Sequence, residues 1–215
     1  MDAAAVDTHL DAVLGAEDDA LRAAAERARS AGLPEIAVSP LQGLWLQLLA
    51  RALGARRVLE LGTLGGYSTI CLARGVVYGG TVTTVELRAE YAAVAGESIA
   101  AAGLTERVEQ RIGPALDVLP TLAGPFDLAF LDADKATMDQ QLRLTLDRMR
   151  PGGVVICDNV VRDGRVADPS QEDESLVGIR AALTILRDDP RIDATALQTV
   201  GLKGHDGFAF GVLRS

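Results

Sequence analysis

Sulfur and imidazole are scarce in this chain. Among 215 residues there are two cysteines, Cys71 and Cys157, and two histidines, His9 and His205. The cysteines belong to no C-x-x-C pattern, which argues against a disulfide framework or a cysteine-rich zinc module. Two histidines are too few for a His-rich metal site. Aromatic residues make up only 4% of the chain, and Trp45 is its one tryptophan. Basic charge is in deficit: 21 Lys+Arg against 30 Asp+Glu give a net charge of -9. A protein that coats nucleic acid usually shows a basic face, so that class is disfavoured, although a small anionic ligand held locally is not. No apolar run approaches the roughly 20 residues needed to cross a bilayer. The start, MDAAAVDTHLDAVLG, is acidic and lacks the basic residues and apolar stretch of a secretory signal. The expectation is a cytoplasmic protein with no membrane partner and no nucleic-acid partner.

What is present is an ordinary globular composition, 48% hydrophobic and 24% charged, with length enough for one sizeable core. Residues 2 to about 29 read as one Ala-rich helix, with Val6, Leu10, Val13, Leu14 and Leu21 loosely on one face, broken by AGLP at 31–34. Pro40, a favoured first-turn residue, opens a second helix. Its Leu41, Leu44, Trp45, Leu48, Leu49 and Ala52 keep amphipathic spacing until Gly54. From Arg57 onward, strand-like runs alternate with helix-like ones: RVLEL, TVTTVE, RVEQRI, FDLAFLD and GGVVICD each precede a helical stretch, and strands near 192–199 and 207–213 close the chain. Several of these strands are continuously apolar, as in a parallel sheet covered on both faces. The reading is a single α/β domain over 1–215, with 1–34 as a helical extension and about 35–215 as the core. His205-Asp206-Gly207 reads as the hairpin turn between the last two strands, since Asp-Gly favours such turns.

In sheets of this kind, ligands bind outside the carboxyl ends of the strands. Glu60, Glu86, Asp132, Asp158 and Asn159 all fall at or near predicted strand ends. Strand punctuation explains any one of them; together they suggest a site. VLELGTLGGYST (58–69) is a strand, a glycine turn and a helix start. Gly62 permits close backbone approach, the following helix start can hold an anion, and Ser68 can donate to a carboxylate there. The spacing G-x-x-G-G differs from the dinucleotide fingerprint. Glu86, closing the next strand, suits the two hydroxyls of a ribose. The two features together imply an adenosine-bearing ligand. Asp132, Asp158 and Asn159 either punctuate strand ends or point oxygens at something cationic.

ELGTLGGYS, IGPALDVLP, FLDADK and DNVVRDGRVAD, in that order and at these distances, resemble the cation-dependent O-methyltransferases. That S-adenosylmethionine-dependent family includes caffeoyl-CoA and catechol O-methyltransferases. The resemblance covers about residues 35–215, and residues before that match only in being helical. It implies a Rossmann-like class I methyltransferase sheet of seven strands, mostly parallel with one antiparallel strand, with helices on both faces. It also implies transfer of a methyl group to a hydroxyl of a small catechol-like or hydroxycinnamoyl-like phenol, and a homodimer.

By the same resemblance, Glu60, Gly62, Thr63 and Ser68 lie along the methionine part of the cofactor, Glu86 binds the ribose, and Ala115 sits at the adenine. Val38 touches the cofactor from the other side. Asp132, Asp158 and Asn159 hold the divalent metal (Mg²⁺, Mn²⁺ or Ca²⁺). Asp132 and Asp134 are also cofactor contacts, and Lys135 is the candidate base. Bland roles stand beside these: Asp134 as a helix cap, Lys135 in a salt bridge to Asp134 or Asp158, Trp45 and Tyr67 as packing, and Arg162 and Arg165 facing solvent rather than an anionic substrate. One departure is visible. Relatives usually read EQGQ where this chain has LQGL at 41–44, which puts polar contacts from that helix in doubt. Rival readings are an aminopropyl transferase, which does not need Asp158-Asn159, a non-catalytic S-adenosylmethionine binder, and a metal-dependent phosphoesterase, which leaves Glu86 unexplained.

Overall fold

The computed structural model describes residues 2–215. Seven strands form one sheet: β1 (Arg57–Leu61), β2 (Thr81–Glu86), β3 (Val108–Ile112), β4 (Phe126–Leu131), β5 (Met149–Asp158), β6 (Ile192–Gly201) and β7 (Gly204–Leu213). Their order is β3-β2-β1-β4-β5-β7-β6. Neighbours from β3 through to β5 pair in parallel, while β7 runs antiparallel between β5 and β6. The expected pattern of one antiparallel strand is therefore observed.

Alternate residues of the central strands feed two separate cores, as a period of two demands. Val58, Leu128 and Val154 join one cluster; their neighbours Leu59, Ala129 and Val155 join the other. The first is covered by α3 (Pro40–Ala52), α4 (Tyr67–Gly75) and α5 (Ala89–Ala101), the second by α7 (Met138–Leu146) and α8 (Glu174–Asp188). Burial on both faces is why these strands are apolar without alternation. The chain moves from β1 toward β3 on one side and from β4 toward β5 on the other. Strand direction of travel thus switches between β1 and β4, and a crevice opens at their carboxyl ends.

The N-terminal region departs from expectation. It is two helices, α1 (Ala3–Leu14) and α2 (Asp19–Ser30). Gly15 ends the first in a left-handed conformation, and the Asp18 carboxylate caps the second by accepting from Leu21 N. Of the apolar face read from the sequence, only Leu21 is buried. α1 has no buried residue and lies against β6, where Asp7 accepts from Leu202 N at 2.9 Å. The stripe on α3 also turns differently. Gly43, Leu46 and Ala50 are its buried line, while Leu48 is exposed and Trp45 is half-buried against Phe208, ring centroids 4.6 Å apart. Small residues win the inward face because α3 packs closely on α4, with Gly43 set against Tyr67 and Cys71. The last hairpin turns at Leu202-Lys203, between paired Gly201 and Gly204, so His205-Asp206-Gly207 lies inside β7.

Gly62 fixes where β1 meets β4. Its φ is +94°, and a Cβ there would overlap the Asp132 carbonyl. Gly62→Ala should therefore cost about 3 kcal/mol or more, combining left-handed strain with a backbone clash. Gly15→Ala, also at positive φ but with open space around it, should cost about 1–2 kcal/mol. Chemical denaturation of the two variants checks the difference; equal losses would contradict the close approach.

Candidate active site

A cavity of about 970 Å³ opens at the carboxyl ends of β1, β2 and β4. That volume lies at the upper end for small-ligand pockets. Gly62, Thr63, Ser68, Glu86, Ala115 and Val38 are among the residues that line it. Asp132, Asp134, Lys135 and Asn159 line it as well. Two of the residues singled out in the sequence do not reach its wall. Glu60 is fully buried beneath the glycine turn, and Asp158 stands just behind Asn159 at 4% exposure.

The glycine turn is tied down by acids from below. Glu86 Oε2 accepts from Thr63 N (3.1 Å) and Leu64 N (2.8 Å), and its Oε1 accepts from Arg88 N (3.0 Å). Carboxylate oxygens keep further lone pairs after such bonds, so Glu86 retains capacity for ligand hydroxyls. Glu60 Oε2 accepts from Thr69 and from Thr84 Oγ1 (2.7 Å), and Thr84 in turn meets Thr63 Oγ1 at 2.6 Å. Glu60 Oε1 is buried without a partner. Burial pushes its carboxyl up to about 7, against the bonds from Ser68, Thr69 and Thr84.

At the other end, Lys135 Nζ lies 2.7 Å from Asp132 Oδ1. The partner is thus Asp132, not Asp134 or Asp158. A Cβ on Gly178 of α8 would overlap the Lys135 and Ala136 carbonyls, so α8 seats directly under this segment. Asp134 does act as a local cap, accepting from Ala136 N (3.3 Å) and Thr137 Oγ1 (2.8 Å), while still facing the cavity. Asp158 accepts from Asn159 N (2.9 Å) and from Gln42 Nε2 (2.8 Å). Its carboxyl is held well above the usual range, first by burial and then by the charge of Asp132. Asp158 is close enough to Asp132 and Lys135 to feel both charges. The donor set of Asp132, Asp158 and the Asn159 amide fits a hard divalent cation. Among the described residues, no group of three or more His, Cys, Asp or Glu side chains is gathered as an alternative shell.

Backbone strain gathers here as well. Among the described residues, the non-glycine residues with positive φ are Leu64, Asn159, Arg162 and Asp163, every one beside the cavity or in the loop after β5. That loop is pinned by Asp206, whose Oδ1 accepts from Val161 N (3.1 Å), Arg162 N (3.0 Å) and Gly207 N (3.0 Å). Sequence reasoning missed this role because Asp206-Gly207 reads as a turn. It also missed Gln42, whose bond to Asp158 supplies a polar contact from the LQGL segment. The helical extension contributes more than expected. Ala24, Ala25 and Ala28 of α2 line the cavity, and Glu17 accepts from the Tyr67 hydroxyl at 2.9 Å. Tyr67 is therefore both packing and pocket wall. Arg165 turns away to bond Asp173 and Gln171, whereas Arg162 faces the cavity.

The sheet order, the glycine turn and the cavity at the switch point define a Rossmann-like methyltransferase fold. Residues 15–207 match the family model described as O-methyltransferase. The chain is 49% identical over 210 residues to a catechol O-methyltransferase of Mycobacterium tuberculosis, covering 97% of this chain and 95% of that protein. It is 45% identical over 213 residues to a catechol O-methyltransferase of Niastella koreensis, covering 97% and 96%. The crystal structure of the O-methyltransferase from Bacillus cereus in complex with SAH superposes with a TM-score of 0.97 at 45% identity, covering 99% of this chain and 98% of that one. The chain belongs to the O-methyltransferase family. No helix among the described residues is long and apolar enough to cross a membrane.

The buried Glu60 carboxyl gives a pH signature. Its folded value is raised above the ordinary 4.5 to about 7, so the folded state binds the extra proton. Its stabilising contribution is full below about pH 4.5 and is lost as pH rises through about 7. Glu60→Gln should remove this component, giving a flatter loss of stability between those values in urea titrations of the ligand-free protein. An unchanged slope would mean that Glu60 ionises normally in its site.

Proposed function

We propose that this protein moves the methyl group of S-adenosylmethionine to a hydroxyl of a small catechol-like phenol, with a divalent cation held by Asp132, Asp158 and Asn159. The observation that carries the reading is Asp132 and Asn159 on the wall of the cavity that the glycine turn and Glu86 also line, with the Asp158 carboxyl buried just behind Asn159. The relatives named catechol O-methyltransferases and the neighbour in complex with SAH support it. An aminopropyl transferase or a simple binder has no use for a second carboxyl buried behind Asn159.

The cofactor, when bound, would supply an activated methyl group whose carbon an oxygen nucleophile attacks in line, the C–O bond forming as the C–S bond breaks and the thioether leaves. The chain's task is then alignment. Glu86 receives the ribose hydroxyls, the turn at Gly62–Gly66 takes the methionine portion, and Ala115 and Val38 close on the adenosine from either side. A phenol is mostly protonated at neutral pH, with a pKa of about 10 on the tyrosine scale. A bound divalent cation would supply Lewis acidity that favours the phenolate. Asp132, Asp158 and Asn159 would hold it, with Gln42 orienting Asp158. Lys135 Nζ, the amine at this end of the cavity, accepts the phenol proton. The α2 wall covers the glycine turn, with Ala28 against Gly65. For assembly we propose a homodimer through the face formed by α1 and β6, where Leu197 and Val200 are exposed; light scattering checks it.

Methyl transfer from labelled S-adenosylmethionine to a panel of catechols should require Mg²⁺ and stop with EDTA. Asp158→Ala should reduce the Mg²⁺-stimulated rate by about 100-fold or more. Tight cofactor binding without transfer to any phenol would defeat the acceptor assignment. Lys135→Met should lower kcat by about 10²–10⁴-fold and remove one limb of its pH profile; a full-rate variant with the same profile would show that the proton goes elsewhere.

A further inference from the structure

We infer that the acceptor carries a carboxylate remote from the reacting hydroxyl, and that Arg162 and Lys203 form its seat. This rests on the proposed methyl transfer and narrows its substrate class to acidic catechols.

The cationic side chains lining the cavity are Arg29, Lys135, Arg162 and Lys203. Two are committed: Arg29 is ion-paired with Glu26 and lies 3.9 Å from Glu35, and Lys135 is 2.7 Å from Asp132. Arg162 is half-buried, and among the described residues its guanidinium meets neither a carboxylate within ion-pair distance nor a hydrogen-bond acceptor. Asp173 feels the Arg162 charge but is bonded to Arg165. Lys203 Nζ reaches only a backbone carbonyl, that of Glu35, at 3.2 Å.

These two cations are placed, not loose. Arg162 holds a φ of +55° and donates its N–H to Asp206, while Asp163 N donates to His205 O at 2.9 Å. Those bonds tie the Arg162 loop to β7, directly after the Leu202-Lys203 turn. That turn is anchored in its own right by Asp7, which accepts from Leu202 N. Arg162 follows Asn159 by one short turn, so it borders the end where the acceptor hydroxyls must sit.

A half-exposed guanidinium on the cavity wall with no protein acceptor is free to take an anionic ligand group. Its fork matches a carboxylate in two-point fashion, and the Lys203 ammonium on the wall of the same cavity adds a second attraction. A chain of net charge -9 repels anions at long range, so capture of an acidic acceptor needs such a local cationic seat.

The test compares 3-(3,4-dihydroxyphenyl)propionate with its methyl ester, whose ring is electronically alike, with Mg²⁺ present. The acid should exceed the ester in kcat/KM by about tenfold or more, mostly through KM, and its advantage should shrink at high salt. Arg162→Gln should bring the acid-to-ester ratio close to one, Lys203→Gln should lower it less, and Arg162→Lys should keep part of it. Because the readout is a ratio within one enzyme, a general loss of activity cancels. Equal use of acid and ester by the wild type, or an unchanged ratio in Arg162→Gln, overturns the inference while leaving methyl transfer to phenols intact. Failure to methylate any catechol overturns both.

Discussion

The site depends on one close approach. β1 and β4 are neighbours, Asp132 N donates to the Leu61 carbonyl at 2.8 Å, and the Asp132 carbonyl occupies the space a side chain on residue 62 would need. Gly62 therefore does two things. It turns the chain out of β1 into the glycine turn, and it lets the acid-bearing end of β4 lie against that turn. The cofactor end and the carboxylate end of the cavity share this contact, so the distance between them is set by backbone rather than by flexible side chains. Such rigidity is what an in-line displacement requires of its scaffold.

Around that contact, charge has been taken out of water at a cost. Glu60 is fully buried with one oxygen unpartnered, and Asp158 is almost as deep and faces Asp132. A core built for stability alone would avoid both. Each is held by groups from distant parts of the chain: Glu60 by Thr69 and Thr84, Asp158 by Gln42. The same economy is seen after β5, where left-handed residues at Asn159, Arg162 and Asp163 persist because Asp206 collects the freed amides. Strain and buried charge accumulate at the cavity and are offset by the apolar strands beneath it.

The helical extension belongs to this arrangement. α2 forms a wall of the cavity, and the Glu17–Tyr67 bond and the Asp18–Arg74 ion pair at 2.9 Å fasten it to α4. Alanines at 24, 25 and 28 look like helix propensity in the sequence. In the structure they keep α2 thin enough to lie over the glycine turn, with Ala28 against Gly65.

The alternation of elements from Arg57 onward, the parallel sheet, the glycine turn, and Glu86, Asp132 and Asn159 at one edge are legible from the residues alone. Those features are local: apolar runs, glycines and acids at strand ends are written in adjacent residues. The rest came from packing between distant segments. The break at Gly15–Asp18 hinged on a cap in a uniformly Ala-rich stretch. The inward face of α3 was chosen by small residues meeting α4, against the larger apolar stripe. The hairpin turn moved to Leu202-Lys203 because β6 and β7 pair over ten residues each, which absorbs His205-Asp206-Gly207 into the ladder. The partnerships of Gln42 with Asp158, Asp206 with the Arg162 loop, and Lys135 with Asp132 rather than its other neighbours depend on side-chain approach in three dimensions. A single sequence carries no record of such distances.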